Sequence, residues 1–342
     1  MLKQRRFSFL ILVVCGLLLH VCSGEGPEPK KGGSMLLVAN KGDRTLDLID
    51  PHSGSRIASI PVEGVTGHEV TASPDGRTAY VPIYGNSGVG SPGTDGSTIA
   101  VVDLVSKKLI GKVDFKRGMR PHCPVFDSKR NVLYVTTELD DSVSIVDPHT
   151  LKVAGSIPTG QAESHMFALS HDGHRGYTAN VGPGTVSVLD MDGRKTLAVI
   201  PIAHTTQRIS VSPDDKLVFT SDQTSPHLAV IDTSTDKVTA RVRLPALGYG
   251  TAPTLDGRWL VVAMPDANAV AVVDIAGLRV ARTIPVCQSP QEVLMEPDDP
   301  SIAYVSCSAS NNVGVLDLAN WTMKTTIAAG KHADGLAWAK IP

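Results

Sequence analysis

A chain of 342 residues with 42% hydrophobic and 19% charged residues has enough apolar material to bury a core, which excludes a disordered chain. Its 32 Lys+Arg against 34 Asp+Glu leave a formal charge of −2. With no basic excess a nucleic-acid groove is not expected, because phosphate neutralisation needs clustered cations.

In chain order, Lys3, Arg5 and Arg6 form a positive segment ahead of the apolar run 7–19, too short for a comfortable membrane span. Residues 1–23 are read as a signal peptide cut after Ser23, which implies a periplasmic or extracellular protein. Two alternatives keep it at a membrane: an uncleaved anchor, or lipidation at Cys22. Residues 24–34 are a Gly/Pro-rich linker with nothing to bury. Residues 35–342 are expected to form one domain.

That domain repeats itself with a period of about 43 residues, the length of a four-stranded propeller blade. One column is a β-rich apolar run ending in Asp, at 45–50, 98–103, 142–147, 185–190, 227–232, 269–274 and 312–317. Upstream lies a second strand column, headed by Tyr80, Tyr134, Tyr177, Phe219 and Tyr304, with 37–40 as its first copy. Before it stands a turn such as Ser73-Pro74-Asp75-Gly76, whose Pro and Gly supply a tight reversal. No helical period occurs in 35–342. The reading is an all-β, seven-bladed propeller of four-stranded antiparallel blades. The first repeat lacks an inner strand and the segment 332–338 has nothing after it, so the two chain ends are expected to share one blade and close the ring. The seven Asp residues that end the first column recur too regularly for catalysis and are read as turn caps.

The strands beginning Tyr134-Val-Thr-Thr137 and Tyr177-Thr-Ala-Asn180, with the Ser-Pro-Asp-Gly turns, resemble the YVTN-type β-propeller family of extracytoplasmic repeat proteins over nearly all of 35–340. That resemblance implies a binding or surface protein. The chain is also similar, more distantly, to the propeller lactonases, through histidines placed before the turns and the stretch Arg120-Pro121-His122-Cys123.

Counting back from the turns gives the first residue of each inner strand, at the mouth of the central channel: His68, His122, His165, Gln207, Tyr249, Gln291 and Asp334. The residue type changes from blade to blade, unlike a folding requirement. With His332 nearby, this ring is the candidate ligand-binding set, and its neighbours Glu69, Arg208 and Glu292 are the candidate catalytic groups. Three imidazoles on consecutive blades, His68, His122 and His165, suit a divalent metal (Zn, Cu, Mn or Fe) with an open position for substrate. The long insert 86–97 opens on the same face as a lid or specificity loop. Neighbours along a strand point to opposite sides, so Cys123 is expected between blades. Cys287 and Cys307 fall in one repeat and are placed to pair in an oxidising compartment. No Gly-x-Ser-x-Gly elbow and no Cys-x-x-Cys-His occur, which leaves a nucleophilic serine and covalent haem without support. Trp259, Trp321 and Trp338 lie scattered, so no aromatic stacking platform is expected.

Two functions of different class follow. The first is a monomeric propeller that binds a small molecule, peptide or protein partner at the channel mouth. The alternative is a metal-assisted hydrolase or lyase of lactone type.

Overall fold

A computed structural model describes residues 33–86 and 88–341. The signal peptide, the Cys22 alternative and nearly all of the linker lie outside them.

The described residues form seven four-stranded antiparallel sheets, taken here as blades one to seven. Their middle strands are mostly buried on both faces, as Val132–Thr137 and Ser142–Asp147 are in blade two, because a neighbouring blade covers each face. Outermost strands alternate instead: Lys195–Pro201 and Lys237–Arg243 expose every second residue. Six of these seven edges open on Lys or Arg, and several close on Pro, which discourages pairing with another chain.

Closure follows the expectation. The C-terminal strand Ala333–Ile341 is the inner strand of blade seven, and it pairs with Gly33–Asn40, which leads to Thr45–Ile49 and Arg56–Pro61. The repeated Asp residues cap turns: Asp147 accepts from the N–H groups of His149 and Thr150, and Asp317 from those of Ala319 and Asn320. Their uniformity is therefore a folding signal. Cys123 packs with Met166, Phe167 and Tyr134 at the junction of blades two and three.

Cys287 and Cys307 are joined, with Cα atoms 5.7 Å apart. The bond fastens the loop that enters blade six to the end of the strand Ile302–Cys307. Closing a loop of this size contributes about 3 kcal/mol by restricting the unfolded chain. The double variant Cys287→Ala/Cys307→Ala should lose about 3 kcal/mol in urea unfolding. Stability within a few tenths of the parent would mean that the bond does not act this way.

Candidate functional site

The inner strands carry the site because their first residues leave the regular ladder. Pairing with the second strand slips between Pro121 and Pro124, between Ser164 and Met166, between Thr206 and Ile209, and between Pro290 and Val293. A bulge of this kind breaks strict alternation, so a ring residue and its successor can both serve the channel. Two glycines make room: Gly250 and Gly335 donate their N–H groups to the carbonyls of Gln291 and His68 in the next blade, and a Cβ at either would strike that backbone.

The axis is occupied by Arg208. Only 3% exposed, it reaches from blade four across the channel to Glu69 of blade one, at 2.8 Å, and to Asp334 Oδ1 of blade seven, at 3.4 Å. Its guanidinium lies 4.7 Å from the centre of the Tyr249 ring. The other oxygen of Asp334 takes His68 Nδ1 and Lys41 Nζ, each at 3.3 Å. Glu292 approaches from blade six, and its Oε2 accepts the Leu336 N–H at 2.7 Å. Burial sets the protonation. It raises Glu69 despite the guanidinium, and together with the charge on Glu69 it raises Glu292 well above the usual carboxylate range. Asp334 is held low, because His68, Lys41 and Arg208 outweigh its burial.

Beside this cluster the three sequence-predicted histidines do meet. His68 stands edge-on to His122, centroids 4.5 Å apart, and His122 stacks on His165 at 3.5 Å and 28°. His122 Nδ1 donates to the His165 carbonyl at 3.2 Å, and His165 Nδ1 donates to Glu138 at 3.1 Å. Burial lowers His122 well below its ordinary value and takes His165 down to about 4, so both stay neutral near pH 7. Stacked rings direct their nitrogens alongside one another and not toward a common point, and each Nδ1 is spent on a protein acceptor. Among the described residues no group of three or more His, Cys, Asp or Glu side chains could hold a metal ion, so the donor set does not fit the expected metal. What remains open is polar: His68 Nε2, His122 Nε2 and Arg208 Nε are buried without a hydrogen-bond partner among the described residues.

Not every candidate joins. Gln291 turns its amide back onto Ser289, and His332 is exposed on the rim with its backbone held by Asn311. Gln207 is half-buried at the mouth. The structure adds residues that no repeat column singled out. Glu138 accepts from Tyr84, at 2.6 Å, and from Arg120, at 3.1 Å. Arg120 in turn holds the insert, through Asp95 and the Ser91 carbonyl, both at 2.7 Å. Glu138 and Lys41 sit in loops between second and third strands, where the sequence has no period to read.

Residues 51–252 match the family described as "Lactonase, 7-bladed beta-propeller". The chain belongs to that family. The match takes in His68, Glu69, His122, His165, Arg208 and Tyr249 of this lactonase-family propeller, while Glu292 and Asp334 lie beyond it. It is 26% identical over 231 residues to the seven-bladed β-propeller protein Rv1057 of Mycobacterium tuberculosis, covering 55% of this chain and 57% of that protein. It is 24% identical over 197 residues to the uncharacterized protein YncE of Salmonella typhi, covering 56% and 55%. The chain thus spans little more than half the length of these curated relatives. Among solved structures it is similar to the periplasmic gluconolactonase of Pseudomonas aeruginosa, with a TM-score of 0.71 at 18% identity over 90% of this chain and 99% of that one. It is likewise similar to a Kuenenia stuttgartiensis hydrazine synthase chain, with a TM-score of 0.70 at 19% identity over 83% and 92%. At these identities the structural likeness establishes the fold.

The raised Glu292 has a consequence for stability. A carboxyl whose pKa is higher folded than unfolded stabilises below its unfolded value, near 4.5, and that contribution is lost as pH rises through the folded value. Glu292→Gln removes this titration while keeping an acceptor for Leu336. Urea midpoints of variant and parent should agree near pH 4.5 and separate in favour of the variant toward pH 9. Parallel profiles would show that Glu292 ionises freely in the fold.

Proposed function

We propose that the propeller hydrolyses a lactone or related cyclic ester at the channel mouth without a metal ion, outside the cytoplasm. The observation that carries this reading is the Asp334–His68 pair, whose buried Nε2 is unspent. With Nδ1–H donating to Asp334, Nε2 is a bare acceptor, the arrangement of a general base oriented by a carboxylate. A water deprotonated there attacks the lactone carbonyl. The negative charge that develops on the carbonyl oxygen faces Arg208, whose Nε–H has no other acceptor among the described residues. As the acyl C–O bond breaks, the ring oxygen takes a proton from the His68 imidazolium, or from Glu292, kept protonated by burial, which then regains a proton from that imidazolium. The products are a hydroxy acid and the restored site. Family membership and the fold shared with a gluconolactonase support the reaction class. Residues 1–23 and the Cys287–Cys307 bond support the compartment.

Binding of a small molecule or protein partner without turnover is the second reading. It is favoured by how closed the channel floor is, with His122 and His165 only 1% and 2% exposed.

Proton release from glucono-1,5-lactone and from unsubstituted lactones decides between them. The parent protein should exceed the spontaneous rate, EDTA should leave that rate unchanged, and His68→Gln should lower kcat/KM by about 10²–10⁴-fold. No hydrolysis of any lactone above the buffer rate would overturn the enzymatic reading in favour of binding, and activity abolished by EDTA and restored by a metal would overturn the metal-free one.

A further inference from the structure

We infer that the face opposite the channel site carries a second binding site, a groove between blades five and six that takes an acidic sugar. The groove has a volume of about 670 Å³, within the usual range of small-ligand sites. It is built at the turns joining first to second and third to fourth strands, which the antiparallel topology places on the far face from the ring.

The repeat itself marks this groove as unusual. Arg282 pairs with Val272 at a position that the other six blades fill with Ala58, Gly111, Gly155, Ala198, Ala240 and Thr325. Six blades thus carry a small residue there, and one blade alone carries an arginine. Its guanidinium is exposed and lies between two indoles, 5.8 Å from Trp259 and 5.2 Å from Trp321. The Arg258 guanidinium also lies over Trp259, at 4.9 Å from the ring centre. Neither guanidinium has a carboxylate partner among the described residues. The two tryptophans, in different blades, meet edge to face at 5.6 Å and are both only half-buried.

The chemistry of the lining selects the occupant. Two unpaired guanidiniums complement one or two negative charges, and half-open indole faces complement the C–H face of a pyranose ring. The exposed carboxylate of Asp256, with the hydroxyls of Thr254 and Ser301 close by, suits a ligand rich in hydroxyl donors. A polyanion such as nucleic acid would set many phosphates against Asp256 on a chain with no basic excess. A hexuronate meets every one of these conditions.

The test is titration of the full propeller with trigalacturonate, followed by tryptophan fluorescence and calorimetry. Neutral maltotriose, a single-stranded oligonucleotide and an acidic peptide are the comparison probes. Saturable binding of trigalacturonate is expected, at least tenfold tighter than maltotriose and weakened at least tenfold by Arg282→Ala. That variant restores the small residue of the other blades, so its fold is secure, and Arg258→Ala should act in the same direction. Absence of saturation by trigalacturonate, binding unchanged in both variants, or equal affinity for the neutral sugar would overturn the proposal. Tighter binding of the oligonucleotide or the peptide would overturn the sugar and assign the groove to that class.

Discussion

Arg208 is the constraint on which the rest of the channel depends. A guanidinium this deeply buried costs several kcal/mol to desolvate, and only close carboxylates offset that cost. They come from the opposite side of the ring, Glu69 in blade one and Asp334 in blade seven. Asp334 lies on the strand that the C-terminus contributes to the shared blade. The ion pairs therefore form only when the ring has closed, and so does the orientation that Asp334 imposes on His68. Folding and the completion of the site are one event.

The repeat made most of the fold legible. Turn-capping Asp residues, tyrosine-headed strands and tight turns recur because each blade solves the same packing problem, and the missing inner strand announced the closure. The site was legible in part. Listing what changes at the head of each inner strand picked out His68, His122, His165, Tyr249 and Asp334, which converge, and also Gln291, which, like the neighbouring candidate His332, does not. Whether such a residue turns inward is set by the bulge and by the neighbouring loop, and neither has a signature in a single repeat. Glu138 and Lys41 were missed because they lie in loops outside the period. The Trp259–Trp321 pair was missed because its partners come from different blades, although the break at Arg282 in an otherwise small column was there to be read.

The metal expectation shows why residue type and spacing underdetermine chemistry. Three histidines on consecutive blades do gather, as the spacing required, yet His122 and His165 stack and spend their Nδ1 groups on protein acceptors. Stacking answers a different need, since two buried neutral rings cover each other's faces. What is left over is an imidazole nitrogen of His68 with no partner among the described residues, beside the Arg208 guanidinium and the buried Glu292 carboxyl. The same ring thus carries two unlike surfaces, a channel lined by buried ionisable groups on one face and an indole–guanidinium groove on the other, each built from what departs from the repeat.

The most direct test of the cross-channel cation is a double-mutant cycle in urea unfolding with Arg208→Met, Glu69→Gln and the pair. Loss of Arg208 alone leaves buried carboxyls unpaired and should cost about 3–5 kcal/mol. The double variant should recover a large part of that loss, giving a coupling of about 1–3 kcal/mol. Additive single effects would contradict the account, because they would mean that Arg208 and Glu69 do not sense each other across the axis.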